Sequence, residues 1–431
     1  MRRVLIVSPH FPPADAVDMH RVRMTAGHYR ACGWEPVILT ARAQDTGRLI
    51  DPALTHLAPD GVRVEEVATP HNPFLKLIGL NALGFRAFGA FERAGAALLA
   101  RESFDLVFIS TTSFPLMRLG AVWKAGFGVP FVLDFQDPWA TYPESGKVFF
   151  RKGPRHAAMR ALHRRWEGQT VPAAGGLMAV TQAYIDLLKA AYPAVASVPA
   201  LVSPFGYSAR DFEVAERLGT VAPALTDAAR PEVMTVLYAG RVAPSMERSL
   251  AAMFALVAAA RAAGDVRFAA LRFVFIGTGY AAGASEKIAT RLAREAGIAD
   301  QVSESPERIS IMDALKTTLA ADALLVMGSD DEGYTPSKMS AALSLKKPLF
   351  GAGPAASPAA AILAGLDTVL WTGAEASLSP AIVAAAGERL AGLMAGRGGY
   401  AARIKAAAAF EAAACAARDC GLFDQVLAAR T

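Results

Sequence analysis

Short runs of Val, Ile, Leu and Phe recur along this chain, each followed by a stretch with helical spacing. That alternation limits the fold more than any other feature. Runs of five or so apolar residues without polar alternation are buried on both faces, and parallel strands need long crossovers, usually helices, to cover them. A first series falls at Val4–Ser8, Glu35–Thr40, Arg63–Val67, Leu106–Ser110, Phe131–Asp134 and Leu177–Val180. A second falls at Thr235–Ala239, Arg272–Ile276, Val302–Glu304, Ala323–Met327, Pro348–Phe350 and Thr368–Trp371. Between them "SPFGYSARDFEVAERLGTVAPALTDAARPE" reads as an irregular connection. A chain of 431 residues also exceeds one ordinary core and fits two domains of about 200 residues each. The expected fold class is α/β, with two doubly wound parallel sheets, at residues 1–205 and 206–400. The apolar helical stretch over 401–431 has no strand after it.

Bulk properties exclude several function classes. With 53% hydrophobic and 19% charged residues the chain is globular, not disordered. A formal charge of +5 is mild at this length, and no zinc-finger or RNA-binding motif accompanies it, so nucleic acid is not an expected partner. The N-terminus, MRRVLIVSPHFPP, has too short an apolar run for a signal peptide. The uncharged run from Pro348 to Leu366 is broken by Gly351, Gly353, Pro354 and Pro358, so it reads as a loop between elements and not as a membrane span. A cytoplasmic location is expected. Cys32, Cys415 and Cys420 form no CxxC pair and are read as small buried thiols. The seven histidines lack HExxH spacing, and no metal site is expected.

In open parallel sheets ligands sit at the carboxyl ends of strands. The segments there are "SPHFPPADAVDMHR", "DFQDPWATY", "AGRVAPSMER", "GTGY" and "SDDEGYTPSK". The first carries Pro9, Pro12 and Pro13 and no GxGxxG, which argues against a dinucleotide on the first domain. In the last, Gly328–Thr335 reads as a turn, with Thr335 as cap and Pro336 at the first helical position. Ser337 and Lys338 beside a helix start suit an anion, although every βα unit needs a cap and most hold nothing. Arg241 after the first strand of the second domain and Arg248 in the next helix's first turn change that balance. A cation at a helix start opposes the dipole and implies another partner, such as a diphosphate held by forked hydrogen bonds.

With these segments in view, the chain resembles bacterial glycosyltransferases of family 4, which have the GT-B fold of two Rossmann-like domains facing a cleft. The carriers are "VLIVSPHFPP" followed by "HRVR", "GWEPVILTA", "FDLVFISTTSFP", "GVPFVLDFQDPW", "GLMAVTQAYIDLL", "VLYAGRV" and "GYTPSKMSAALSLKKPL". The resemblance implies a nucleotide-sugar donor (a UDP or GDP sugar), no further cofactor and no metal. It implies donor binding on the second domain by Gly240, Glu332, Gly333, Tyr334, Thr335, Pro336, Ser337, Lys338 and Ser340, with Arg241 and Arg248 as catalytic cations. It also implies transfer with retention, and a last helix that crosses back to the first domain. Two positions depart from the family pattern. Met246 stands where a Lys is usual, and Ser340, or Ala341 in the neighbouring register, stands where a Glu grips the nucleotide ribose.

The resemblance implies an acceptor on the first domain, where His10, His20 and Asp134 are expected in contact and Asp137 is expected to position the acceptor hydroxyl or accept its proton. Asp137 ahead of Pro138 equally fits a stabilised turn. Asp15, Asp18, Asp330 and Asp331 read as loop or turn residues. Lys147–Thr170 carries seven Lys or Arg against one Glu, with interleaved aromatics, and the stretch from Asn72 reads as a similar helix. Both fit either ordinary crossover helices or a contact with an anionic membrane surface. The reading is thus a transferase building a cell-surface polysaccharide or glycoconjugate on a glycan or lipid-linked acceptor. A nucleotide-sugar epimerase or hydrolase and a non-catalytic homologue remain as alternatives.

Overall fold

The structure is a computed structural model and describes all residues except 72, 78–79, 142–153, 220–231, 280–286, 331–333, 335, 374–377, 397–398 and 430–431. The chain forms two compact units, Met1–Gly206 with Ala412–Thr431, and Tyr207–Glu411.

The first unit holds a parallel sheet of β1 (Arg2–Val7), β2 (Trp34–Ala41), β3 (Arg63–Val67), β4 (Leu106–Ser110), β5 (Phe131–Phe135), β6 (Gly176–Ala179) and β7 (Ala200–Val202). Their order is β3-β2-β1-β4-β5-β6-β7. Residues on β1, β4 and β5 are almost wholly buried, as runs without polar alternation require. Helices cover both faces. On one, Phe91, Trp123 and Leu188 pack on Val7, Ile109 and Leu133. On the other lies Ala412–Ala428, whose Phe423 ring sits 5.6, 5.4 and 5.2 Å from the rings of Tyr29, Trp34 and Phe108. Close approach of this helix depends on Gly176, where a Cβ would stand 2.6 Å from Val426 Cγ2.

The second unit contains β8 (Met234–Ala239), β9 (Leu271–Ile276), β10 (Val302–Ser305), β11 (Ala323–Met327), β12 (Leu349–Gly353) and β13 (Val369–Gly373), all parallel, in the order β10-β9-β8-β11-β12-β13. The strand order reverses between β1 and β4 in one unit and between β8 and β11 in the other. β8 pairs with β9 over six residues but with β11 only at Val236–Ala323 and Leu237–Leu324.

Several local expectations change. β7 is three residues long, between Pro199 and Pro204, and too short to stand out as a periodic run. The supposed irregular connection contains a helix, Ala209–Leu218, whose Phe212, Val214 and Ala215 are buried. The stretch after Asn72 is three helices, Pro73–Leu77, Leu83–Arg86 and Phe88–Arg101, not one. Arg86 folds back there onto the carbonyls of Asn81, Thr69 and Asp45. The terminal helical stretch is also divided. Ala401–Ala408 packs in the second unit, where Arg403 is wholly buried and donates to the carbonyls of Leu343, Leu345 and Thr368. Only the following helix belongs to the first unit.

Candidate functional site

In a doubly wound sheet the crevice forms where strand order reverses, because flanking crossovers leave in opposite directions there. In the second unit this point lies between the carboxyl ends of β8 and β11. β8 ends on Gly240, with φ +155°, and Arg241 follows, half-buried. From the β11 side the chain returns to Lys338, whose ammonium fills the space a Cβ at Gly240 would need: Nζ is 2.1 Å from that position. The same ammonium lies 5.9 Å from the Tyr238 ring centroid. Tyr238 donates its hydroxyl to Arg241 O (2.8 Å), which holds the turn after β8.

No carboxylate among the described residues pairs with Lys338. Burial, and next the neighbouring Arg308 guanidinium, push its ammonium down to about pKa 8. The residue as a whole is exposed, so the desolvation is confined to its tip. Tyr334 is half-buried against the core, which pushes its hydroxyl up to about 12, with the Arg241 charge acting the other way.

Other expected donor-side residues fall differently. Arg248 is exposed and faces Asp330 at 3.6 Å, a contact of small energy in water. Pro336 is buried and Ser337 exposed, but the helix begins only at Met339 and ends at Ser344. Pro336 is therefore not the first helical position. With so few aligned peptides the macrodipole is small, so a positive site here rests on side-chain cations. Ser340 is buried inside that helix, 2% exposed, and Met246 is buried with its sulfur 3.8 Å from the Tyr238 hydroxyl. Glu332, Gly333 and Thr335 lie outside the described residues. The sequence does not single out Tyr238, because a strand tyrosine looks like ordinary core.

The corresponding point of the first unit is occupied by an internal polar network. Asp134 at the end of β5 is fully buried and accepts from Arg21 Nε (2.7 Å) and Ser110 Oγ (2.7 Å). Arg21 also donates to Ser203 Oγ (2.8 Å) and Ser203 O (2.6 Å). Asp134 therefore anchors Arg21 instead of lining a surface, a correction to its expected contact with acceptor. His10 is likewise buried, 2% exposed, with Nδ1 2.8 Å from Asp18 Oδ1. Burial alone would raise the Asp18 pKa, but His10, Thr112 and Arg48 more than offset it and the net shift is downward. His20 is half-buried beside Arg23, with 3.2 Å between Nδ1 and the guanidinium. Of the expected acceptor-side groups, Asp137 is the one on the surface, exposed just beyond β5.

Behind Asp137, the loop is held from below by the helix Pro154–Thr170. Trp139 donates to His163 (2.7 Å) and stacks on Phe114, and Ala140 N donates to Glu167 Oε2 (3.0 Å). Burial pushes the Glu167 carboxyl up to about 7, despite the Thr141 and Ala140 hydrogen bonds that act to lower it. This accounts for part of the basic stretch as packing. Arg164 and Arg165 on the same helix are exposed, and residues 147–153 are outside the described ones.

Among the described residues no group of three or more His, Cys, Asp or Glu is placed to hold a metal. A groove of about 640 Å³ lies away from these strand ends, beside Asp265, Arg267 and Pro380. Its Asp265 and Arg267 satisfy one another at 2.7 Å, so it offers no convergent polar groups.

Comparison with known proteins agrees with this architecture. Residues 20–206 match the model of the glycosyl transferase 4-like domain. That match covers most of the first unit, and the chain has the two-unit GT-B fold. A glycosyltransferase from Rickettsia africae aligns over 99% of this chain and 98% of its own, at 12% identity and TM-score 0.57. An α,α-trehalose 6-phosphate synthase from Burkholderia multivorans aligns over 100% of both chains, at 14% identity and TM-score 0.57. The N-terminal domain of trehalose-6-phosphate phosphatase from Candida albicans aligns over 99% of this chain and 97% of its own, at 10% identity and TM-score 0.59. At such identities the likeness is one of fold. A search of curated protein sequences found no match.

Proposed function

We propose that the protein is a nucleotide-sugar-dependent glycosyltransferase that binds its donor on the second unit and its acceptor on the first. The observation carrying this reading is the Lys338 ammonium, which no carboxylate among the described residues meets, set against Gly240 where the strand order reverses, with Arg241 next in the chain. Cations at that point stabilise the charge that develops on a leaving diphosphate, the part of the transition state where binding gives the most rate. Asp137, exposed beyond β5, is our candidate to position the acceptor hydroxyl or accept its proton. UDP or GDP sugars are the donors we expect. Retention of configuration, metal-independent transfer and a role in cell-surface polysaccharide or glycoconjugate synthesis complete the proposal. The acceptor is a glycan or a lipid-linked sugar, and the exposed Arg164 and Arg165 suit attachment at an anionic membrane surface. No helix of the described residues is long and apolar enough to cross one.

A thermal-shift screen with UDP-, GDP- and dTDP-sugars tests the donor reading, because a ligand present at 100 times its Kd stabilises the native state by about 2.7 kcal/mol. One sugar class should raise Tm and be turned over, and Arg241→Ala should weaken both effects at least tenfold. No shift with any donor, together with an Arg241→Ala protein indistinguishable from wild type, refutes the proposal. The buried Met246 and Ser340 favour a second reading, a non-catalytic homologue. Donor binding without any transfer or hydrolysis would select it.

A further inference from the structure

The carboxyl ends of β8 and β9 lie side by side, with Ala239 opposite Ile276, and each strand is followed by a glycine of positive φ. Gly240 (+155°) receives the Lys338 ammonium. Gly277 (+71°) receives the turn after β10: a Cβ at Gly277 would stand 3.9 Å from Glu307 O and 4.0 Å from Arg308 Cα. Three backbone bonds fasten the turns together, from Gly277 N and Thr278 N to Ser305 O (2.9 and 3.4 Å) and from Gly279 N to Pro306 O (3.0 Å). The two glycines thus bring two cation-bearing segments, from opposite flanks, to one stretch of the sheet edge.

Arg308 is exposed in that turn, and among the described residues no carboxylate meets it. Several arginines of the unit are paired instead. Arg261 pairs with Asp300, Arg267 with Asp265, Arg291 with Glu247 and Arg389 with Asp367. The charge of Arg308 falls instead on Lys338, where it disfavours the protonated ammonium. Like charges brought together without a counter-charge repel, and a bound polyanion turns that repulsion into attraction.

We infer that Arg308 is a third cation of the anion site formed with Arg241 and Lys338, and that it binds the diphosphate of the nucleotide-linked ligand. The inference deepens the donor reading of this site and rests on it for the identity of the ligand.

Inorganic pyrophosphate separates the anion site from the reaction. Titration calorimetry on the full chain at low salt should show pyrophosphate binding that Arg308→Gln weakens tenfold or more and Arg308→Lys weakens less. Arg389→Gln, which removes a distant surface charge, should stay within twofold of wild type. Because Arg308 is exposed, Tm should not change in Arg308→Gln. No pyrophosphate binding by wild type at millimolar concentration, or equal affinities for Arg308→Gln and Arg389→Gln, overturns the inference. Loss of pyrophosphate binding in Arg308→Gln, with no nucleotide sugar bound by wild type, upholds the anion site and removes the transferase reading. Donor turnover that ignores Arg308→Gln does the reverse.

Discussion

Replacing Gly240 by Ala tests the site by one methyl group. The new Cβ would lie 2.1 Å from Lys338 Nζ and 2.9 Å from Cε, so the ammonium must retreat by roughly 1.5 Å to reach ordinary contact. A lysine tip moves cheaply. The cost to folding therefore comes mainly from holding alanine at φ +155°, about 1–3 kcal/mol. Function should lose more than stability does. A hydrogen bond to a charged group contributes about 1.5–3 kcal/mol, so losing the ammonium's contact should weaken pyrophosphate binding by about 10- to 150-fold. Lys338→Met should weaken binding to a similar extent without the backbone strain. The double variant should bind no worse than the weaker single one, since both changes remove the same contact. The pH profile supplies a second readout. With the free-protein pKa at about 8, wild-type affinity should be level below that pH and fall above it, by up to tenfold per unit, as the ammonium loses its proton. The Tyr238 ring faces the same ammonium, and burial pushes the hydroxyls of Tyr238 and the nearby Tyr334 up, so both stay protonated over this range. In Lys338→Met this fall should vanish. Wild-type affinity in Gly240→Ala, or losses that multiply in the double variant, would refute the placement of Lys338.

Two further outcomes concern the first unit. Glu167 has a folded-state pKa of about 7 against an ordinary 4.5, so the native state holds the extra proton between those values and stability falls as pH rises through them. Urea unfolding should show wild type losing on the order of 3 kcal/mol relative to Glu167→Gln between pH 4.5 and 8, and a pH-independent difference would contradict this burial. Arg21→Met should cost about 3–5 kcal/mol in the same assay by stranding the buried Asp134 carboxylate. Adding Asp134→Leu should restore much of that loss, whereas a further loss would mean that the pair is not the unit of stability.

The strands were legible because a buried parallel strand needs an unbroken apolar run, as in VLIV, LVFI and ALLVM. β7 and the helix Ala209–Leu218 were not, the first for being three residues long and the second for lying among Pro and Gly. Arg241 and Lys338 could be singled out as cations at strand ends. Their status could not, because pairing is a long-range property. Asp134 and His10 occupy comparable positions, yet they are consumed by Arg21 and Asp18. Arg308 is not legible in the sequence, because a lone arginine in a turn looks like any solvated charge until its neighbours are known.

The amino-acid sequence alone determined that this chain makes two α/β units with parallel sheets, since strand length, apolar runs and crossover spacing act locally. Only the tertiary structure decided which strand ends stay open to a ligand. That depends on strand order, on which glycine admits which side chain, and on whether a charge meets an opposite charge from hundreds of residues away. One unit closes its reversal point with Arg21 and Asp134, and the other leaves Lys338 beside Gly240 without an acid among the described residues.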